Sequence, residues 1–344
     1  MVRVGVIGLG YWGPRILRNV VSLLPAEQVV VCDSNPTRLE AALASYPGIE
    51  ATDRIEELLD QDVNGVILAT PVHTHGELAQ RIMNRGVDLL VEKPLATSAV
   101  VARSLVDYAR NHNLVLMIGH TFLYSPAVQV IRDRVRRGEL GDIHYLMSTR
   151  VNLGIHQSTA SVMWDLAPHD LSIMSFVLEE VPISVSALTR SSLQGQPADV
   201  AFLTLQFPSG IIAESSMSWL APTKIRSMTF IGRQRMLVYE DTDLETPVRI
   251  YDKGVSFSQD SGFGAHELSY RTGDMVAPRI ELEEPLRLEV SEFIRRIERR
   301  VPPTVDEEQA VSIVATIEAA HRSAEAHGVP VDVIAPAGSP TVSV

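Results

Sequence analysis

The sequence predicts an α/β protein: a doubly wound parallel sheet followed by an α+β domain with a mostly antiparallel, open sheet. Three observations predict this fold. Residues 1–120 alternate short, continuous apolar runs with amphipathic stretches, a pattern typical of parallel strands covered on both faces. The first apolar run leads into a glycine-rich turn and a helix-like segment. Beyond about residue 122, segments such as 200–207 alternate apolar and polar residues, which indicates half-buried strands.

The first domain is predicted to span residues 1–122. Its expected strands are the apolar runs 4–7, 29–32, 65–69, 89–91 and 114–118. Its expected helices are the amphipathic stretches 15–24, 37–45, 76–85 and 99–112. Because strands and helices alternate strictly, the pattern favours βαβ units.

The second domain is predicted over residues 123–334, with a tail at 335–344. It begins with a helix from Ser125-Pro126 to Arg137, a strand at 143–152 and a helix from Asp165 to Leu178. Further strands are expected at 182–190, 199–207, 211–219, 224–231, 236–241 and 247–251. The Gly-rich, acidic stretch 253–284 is predicted to be a long loop, and helices at 285–300 and 306–327 follow it.

Composition excludes several classes of function. The chain has 344 residues and a net charge of −12, which argues against nucleic acid as a general partner. No apolar run reaches the ~18 residues that a membrane span needs, so no membrane association is expected. The single cysteine, Cys32, fits a reducing compartment, and we expect a cytoplasmic protein. The sequence predicts no metal site.

The stretch Gly8-Leu9-Gly10-Tyr11-Trp12-Gly13 follows a strand and precedes a helix, the context in which G-x-G-x-x-G predicts dinucleotide binding. Gly8 can make the tight turn, Gly10 allows the backbone to approach a pyrophosphate, and Gly13 allows helix and strand to pack closely. The phosphates would lie at the positive end of the helix.

Asp33 ends the second apolar run, 25 positions after Gly8. A carboxylate at this place can accept hydrogen bonds from the adenosine ribose and would repel a 2′-phosphate, which favours NAD over NADP. The alternative is a turn or cap residue before Asn35-Pro36. Arg38 keeps NADP as an alternative cofactor, because a nearby guanidinium can bind the 2′-phosphate.

Two further tripeptides end strands of the first sheet, Ala69-Thr70-Pro71 and Glu92-Lys93-Pro94. Ligands of open α/β sheets bind at the carboxyl ends of strands. A lysine beside a nicotinamide ring can hydrogen-bond the reacting oxygen, and desolvation would lower its pKa into the range useful for proton transfer. The alternative is an ordinary surface ion pair between Glu92 and Lys93.

The segment Trp164–Asp170 holds a second candidate cluster. Since proline is tolerated in the first turn of a helix, Pro168 predicts a helix that begins near Asp165, with Asp165 as N-cap and His169 one turn later. Asp165 and His169 are therefore candidates for proton transfer. The alternative is that they only cap the helix and bond to backbone.

With these motifs taken together, the chain resembles the glucose–fructose oxidoreductase/inositol dehydrogenase/rhizopine catabolism (Gfo/Idh/MocA) family over nearly its whole length. The matching features are GLGYWG at 8–13, Asp33, ATPVHTH at 69–75, VEKP at 91–94, GHTFLYSP at 119–126 and the Asp165-x-x-x-His169 pair. The resemblance implies an N-terminal Rossmann domain that binds NAD. It also implies a second domain whose open sheet supplies substrate contacts and the surface of a homodimer or homotetramer.

By position, the resemblance implies that Lys93 is the catalytic lysine and His169 the acid/base, with Asp165 as its partner. The cofactor residues it implies are Gly8, Gly10, Tyr11, Trp12, Gly13, Asp33, Ser34, Arg38, Thr70, Pro71, His75, Glu92, Lys93 and His120. The substrate residues it implies are Lys93, Tyr124, Arg150, Asn152, Trp164, Asp165 and His169. The chain departs from many members at His120-Thr121-Phe122, where they read R-F beside a strand-end Asn.

Within the family, Arg150-Val-Asn152-Leu-Gly154 and the WDLAPHD segment look most like sugar oxidoreductases that act on nucleotide-linked sugars, often at C3. The expected reaction is oxidation of a ring hydroxyl or reduction of a ketone. One alternative substrate is a free polyol such as an inositol. Arginines that could receive a diphosphate, or be simple solvated charges, stand at 150, 190, 226, 233 and 235. A third hypothesis is a non-catalytic NAD-binding regulator.

Overall fold

The computed structural model describes residues 2–154, 160–258 and 267–338. These residues form two compact units. One consists of residues up to 124 together with 283–315 and 335–338, and the other of 125–282 and 316–334 within the described ranges. None of the helices in the described ranges is both long and apolar enough to cross a membrane.

The first unit is built on a six-stranded parallel sheet with the strand order β3-β2-β1-β4-β5-β6. The strands are β1 Val4–Ile7, β2 Val29–Cys32, β3 Glu50–Thr52, β4 Gly65–Leu68, β5 Asp88–Glu92 and β6 Leu116–Gly119. The helices between them are α1 Gly13–Leu23, α2 Pro36–Ser45, α3 Ile55–Leu59, α4 His75–Met83 and α5 Ala99–Asn111. The strand order reverses between β1 and β4, which is where such sheets open a binding crevice.

The predicted strands and helices of this unit are confirmed, because β1, β2, β4 and β6 are buried on both faces. Strand β3 and helix α3 were not predicted. They have three and five residues, which is too short for a hydrophobic period to show.

Helix α8 (Pro285–Arg299) packs into the first unit, although the sequence placed residues 283–315 in the second domain. Phe293 and Ile297 are buried there against Gly65 of β4. A Cβ at Gly65 would lie 2.5 Å from Ile297 Cδ1, so β4 needs a glycine where this helix crosses it. The two units divide near residue 124, close to the predicted domain boundary. That α8 joins the first unit depends on long-range packing.

The second unit contains a nine-stranded sheet with the order β14-β13-β12-β11-β7-β10-β9-β8-β15. Its strands are β7 Ile143–Leu153, β8 Ser184–Arg190, β9 Val200–Gln206, β10 Ile212–Ser218, β11 Leu220–Gly232, β12 Met236–Glu240, β13 Val248–Ser258, β14 Glu267–Val276 and β15 Val331–Asp332. Among the described strands of this second sheet, only β7 and β10 pair in parallel, and the other pairs are antiparallel. Helix α6 (Pro126–Arg136) precedes the central strand β7, α7 (Val162–Leu178) lies between β7 and β8 in the sequence, and α9 (Glu308–Glu325) contributes residues to both units.

The predicted loop at 253–284 is wrong at residues 253–258 and 267–276, which form strands. Strand β13 continues to Ser258 and pairs with β14, for example Lys253 with Thr272. Residues 259–266 lie outside the described residues. The stretch reads as a loop because it is rich in glycines and acids, whereas strand pairing rests on backbone hydrogen bonds that any residue except proline can make.

The predicted start of α7 is also wrong. The helix begins at Val162 after Ser161, so Asp165 lies within its first turn and is not the N-cap, and Pro168 lies in the interior. An interior proline loses one helical hydrogen bond. Here most of the helix is buried, Ala167 and Leu171 on either side of the proline included, and this packing keeps the helix continuous across it.

Candidate active site

The turn after β1 has the backbone geometry that a pyrophosphate requires. Gly8 has a φ of +94°, and a Cβ there would lie 2.7 Å from the Ala69 carbonyl oxygen. A Cβ at Gly13 would lie 2.1 Å from the Gly8 oxygen, whereas one at Gly10 would meet no described atom within 4 Å. The fold itself therefore requires Gly8 and Gly13, and Gly10 faces open space that a ligand can enter.

These distances predict that two alanine substitutions affect different properties, one the stability and the other the NAD affinity. Gly13→Ala should lower Tm by several degrees, because the new methyl group collides with backbone. Gly10→Ala should leave Tm within about 1 °C but weaken NAD binding about tenfold or more, because its methyl group occupies the approach of the phosphates. Thermal unfolding and NADH fluorescence titration measure the two effects. Equal NAD affinity in wild type and Gly10→Ala would contradict the placement of the pyrophosphate.

Helix α1 presents its N-terminus to this turn. Within the described residues, its N-cap Trp12 makes no side-chain capping bond and its first turn holds no acidic residue. The first N–H groups and the positive end of the helix dipole are therefore suited to an anion. Tyr11 and Trp12 are exposed beside the turn, with ring centroids 5.5 Å apart, and Arg15 lies over both rings.

Asp33 lies at the carboxyl end of β2, next to the glycine turn, and is 7% exposed. Its Oδ2 accepts a hydrogen bond from Leu9 N at 2.6 Å, and its Oδ1 accepts one from Asn35 N at 2.8 Å. The cap of α2 is Asn35, not Asp33. Arg38 Nη1 lies 3.4 Å from Asp33 Oδ2. The Arg38 side chain is half-exposed and Ser34 is exposed, so NADP remains an alternative cofactor. Oδ1 retains a lone pair for a ribose hydroxyl.

His75 connects two loops of the candidate site. It is 1% exposed, and its ring nitrogens lie 2.8 Å from the Pro94 oxygen and 2.9 Å from the Thr70 oxygen. Burial lowers the pKa of His75. The prediction that His75 lines the cofactor cleft is therefore not supported, because its contacts make it an internal brace. Thr70 is half-buried and Pro71 exposed, so they remain candidates for cofactor contact.

Glu92 and Lys93 follow one another at the carboxyl end of β5, and the Lys93–Pro94 peptide bond is cis. Both side chains are half-buried, which does not fit the alternative of a surface ion pair. Glu92 Oε2 accepts a hydrogen bond from Lys93 N at 3.2 Å. Burial raises the pKa of Glu92 to about 7, against the opposing charge of Lys93. A carboxyl that titrates near neutral pH beside a lysine is typical of a catalytic site.

His120 follows β6 and is 3% exposed. Burial, and then the charge of Lys93, lower the pKa of His120 to about 3, so the ring is neutral at physiological pH. Neither ring nitrogen has a hydrogen-bond partner among the described residues. Since buried polar atoms nearly always have partners, His120 fits a site that receives a polar ligand group. Tyr124 is half-buried against the core of the first unit, and burial raises its pKa.

In the second unit, Asp165 and His169 stand one turn apart on α7, and both are half-buried. Asp165 Oδ2 accepts a hydrogen bond from Trp219 Nε1 at 3.2 Å, and Trp219 is 2% exposed. Trp164 stacks on His321 of α9 with centroids 5.7 Å apart. The predicted juxtaposition of Asp165 and His169 on one helical face therefore holds, with Trp219 as a fixed donor to the carboxylate.

Arg150 does not have the exposure that a substrate contact needs. Its Nε and Nη2 atoms each lie 2.7 Å from Asp170 Oδ1, and the Arg150 side chain is 5% exposed. Ser148 donates a hydrogen bond to the other Asp170 oxygen. The prediction that Arg150 binds substrate is therefore corrected to a buried ion pair, which costs more to break than a surface contact gains. Asn152 is half-buried.

The other arginines considered for a diphosphate are mostly surface groups. Arg226 pairs with Asp241 at 3.1 Å and Arg233 with Asp142 at 3.8 Å. Arg190 and Arg235 are exposed. These placements fit solvated charges better than a prepared phosphate site.

Trp219 offers a test of the Asp165 position. Trp219→Phe keeps an aromatic ring but removes the indole N–H, so the Asp165 carboxylate loses a donor that holds it. We expect kcat to fall about tenfold, a typical cost for losing a hydrogen bond to a charged group. Asp165→Asn should lower kcat as well, and the double variant should lose little more. Fully additive losses in this cycle would show that the two residues act independently.

Sequence reasoning missed Trp219, His321, Thr121 and Glu289. The first three carry no signal in the sequence, because their contacts come from distant elements. Glu289 did carry one: it lies among Leu286, Val290 and Phe293 on the apolar face of α8, where a carboxyl is out of place. It is 1% exposed and accepts a hydrogen bond from Thr121.

Comparison with known proteins agrees with both units. The family model "Oxidoreductase family, NAD-binding Rossmann fold" matches residues 2–120, and the model "GFO/IDH/MocA C-terminal domain" matches 128–238. The UDP-N-acetylglucosamine 3-dehydrogenase of Acidithiobacillus ferrooxidans is 28% identical over 74% of this chain and 78% of its own length. An inositol 2-dehydrogenase of Rhizobium meliloti is 26% identical over 54% of this chain, and the match spans 58% of that protein, less than two thirds of its length.

The fold also resembles that of GenD2 from gentamicin A biosynthesis, solved in complex with NAD. The TM-score is 0.80 at 24% identity, over 97% of each chain. At that identity the likeness concerns the fold alone. The two family models cover most of the chain, and the glycine turn, Asp33 and Lys93 have the geometry described above. The chain therefore belongs to the Gfo/Idh/MocA family of NAD-binding oxidoreductases.

Proposed function

We propose that this protein is an NAD(H)-dependent sugar oxidoreductase that transfers hydride between the nicotinamide C4 and a ring carbon of a sugar. The observation that carries the proposal is the group of Glu92, Lys93 and His120 at the carboxyl ends of β5 and β6. Lys93 is the cation of this group, Glu92 titrates near neutral pH, and His120 is a neutral buried ring. Such a group is suited to hold a nicotinamide and to meet a polar substrate oxygen.

When bound, NAD accepts the hydride or NADH donates it. The residues of this chain have five tasks. The glycine turn and the N-terminus of α1 bind the pyrophosphate, and Asp33 binds the ribose. Lys93 donates a hydrogen bond to the reacting oxygen and stabilises negative charge on it. His169 takes the hydroxyl proton in oxidation or returns it in reduction, and Asp165, fixed by Trp219, orients the substrate.

This mechanism requires that the Lys93 ammonium and the His169 imidazole meet at one substrate oxygen. The two groups come from different units of the chain. Their convergence is part of the proposal.

For the substrate we propose a nucleotide-linked sugar, oxidised or reduced at C3, in polysaccharide or secondary-metabolite biosynthesis. The UDP-N-acetylglucosamine 3-dehydrogenase relative and the WDLAPHD segment support this class. A free polyol such as an inositol is the second candidate. The buried pairing of Arg150 with Asp170 favours it, since that pairing removes one cation from a diphosphate site. The presence of Lys93, Asp165 and His169 argues against a non-catalytic regulator.

The test is a screen of UDP- and TDP-sugars against free inositols, with NAD and with NADP, followed by the absorbance of the reduced cofactor. The proposal expects turnover with a nucleotide sugar and preference for NAD. Turnover on free polyols alone would replace the nucleotide sugar by the second candidate. Tight NAD binding without turnover on either class would favour a regulator.

We also propose a cytoplasmic homodimer or homotetramer that associates through the open face of the second sheet. Large apolar side chains are exposed on adjacent strands of this face, among them Tyr145 and Met147 of β7, Phe202 of β9 and Ile212 of β10. Exposed apolar surface of this kind marks interaction sites. Light scattering of the purified protein measures the subunit number.

A further inference from the structure

We propose that Glu289 is a positioning residue for the catalytic end of the first sheet, because through Thr121 it fixes the turn that carries His120. The role of that turn in catalysis rests on the proposed function. The contact between Glu289 and Thr121 does not.

The geometry ties a late helix to an early turn. Thr121 Oγ1 donates a hydrogen bond to Glu289 Oε2 at 3.0 Å, across 168 positions of sequence. Thr121 directly follows His120, and Glu289 lies on the buried face of α8 with 1% exposure. The bond therefore fixes the backbone just beyond β6, where the His120 ring is placed.

The surroundings of Glu289 keep it neutral. Burial, and then the negative charge of Glu92 at the end of β5, raise its pKa well above the ordinary value, while the bond from Thr121 opposes them. The half-buried Glu92 and the buried Glu289 do not readily ionise together, and Glu92 ionises first, near pH 7. Thr121 is the donor to Oε2, so the proton of Glu289 belongs on Oε1, which has no partner among the described residues.

A purely structural residue would not need this chemistry. An apolar side chain of the same size would fill the space between Leu286 and Phe293 without the cost of burying a carboxyl. What Glu289 adds is one directional bond to the turn and a neutral neighbour for Glu92. Both act on the place where Lys93 and His120 stand.

The first experiment tests the protonation state without using activity. Thermal unfolding is followed from pH 5 to 8 for wild type, Glu289→Gln and the control Glu298→Gln, an exposed glutamate of the same helix. An acid with a raised pKa in the folded state keeps its proton while the unfolded chain loses it above the ordinary value of 4.5. Wild-type stability therefore falls as pH rises from that value toward the folded pKa. This pH-dependent contribution to stability is absent from Glu289→Gln, which carries no titratable group at this position.

We expect the Tm of Glu289→Gln minus that of wild type to grow by roughly 2 °C per pH unit. For Glu298→Gln the difference should stay constant. A constant difference for Glu289→Gln would mean that Glu289 ionises like an exposed acid, and it would overturn the neutral state.

The second experiment tests positioning. Thr121→Val removes the donor and Glu289→Ala the acceptor, whereas Glu289→Gln keeps an acceptor and mimics the neutral acid. We expect about a tenfold or greater loss of kcat or of NADH affinity in the first two, and recovery to within about threefold in Glu289→Gln. Wild-type kinetics and wild-type NADH affinity in both Thr121→Val and Glu289→Ala would overturn the proposal. If no sugar is turned over by wild type, the NADH titration and the Tm series still decide it.

Discussion

Replacing Lys93 with Met should lower kcat by about three orders of magnitude or more and change NADH affinity only severalfold. Methionine has a similar length but no charge and no donor, so the reacting oxygen loses its stabilising partner. The proposed cofactor contacts at the glycine turn and Asp33 lie on other loops, whose internal contacts do not involve Lys93. Steady-state kinetics on the substrate found in the screen, with NADH fluorescence titration, measures both quantities.

The matched control is Lys253→Met, since Lys253 is an exposed lysine on β13. It should keep wild-type kcat. Near-normal turnover in Lys93→Met would remove Lys93 from the mechanism. Loss of NADH binding in the same variant would instead assign Lys93 to the cofactor.

His169→Asn should lower kcat/KM by about two to four orders of magnitude, the range expected when a general acid/base is lost. Asparagine keeps a polar side chain on α7 but cannot exchange a proton near neutral pH. His112→Asn, at an exposed histidine after α5, provides the control. A His169→Asn variant that keeps full turnover would show that the proton passes through another group.

The double variant Lys93→Met/His169→Asn tests whether the two groups act on one oxygen. Residues that work as a unit are strongly non-additive, so the double variant should lose little more than Lys93→Met alone. Multiplication of the two single losses would mean that the groups act independently, and it would contradict the proposed convergence.

The local elements of the first unit were readable because each carries its own signal. Strands β1 and β2 are continuous apolar runs, and the glycine turn is specified by residues that the backbone itself requires, Gly8 and Gly13. Lys93 was predicted because it follows a strand of the first sheet at the edge where ligands bind, whereas His120 was implied by the family resemblance. These features depend on neighbours in sequence.

The misread elements depend on partners far away in sequence. The β13–β14 ribbon has little local apolar period, and its pairing supplies the hydrogen bonds. The start of α7 before Pro168 depends on burial of the helix, which outweighs the local cost of the proline. From the sequence, Arg150 was a candidate cation for a substrate diphosphate. In the structure, Arg150 of β7 is paired with Asp170.

By itself, the sequence determined the parallel sheet, the dinucleotide turn and the identities of the residues that could move a proton. Such signals are local, since they follow from backbone sterics, apolar period and side-chain chemistry within a few positions. Only the tertiary structure decided that Glu289 reaches Thr121, that Trp219 holds Asp165 and that His75 braces two loops. Those contacts join residues from separate elements, and the pKa of Glu92 depends on burial that forms only when the elements pack.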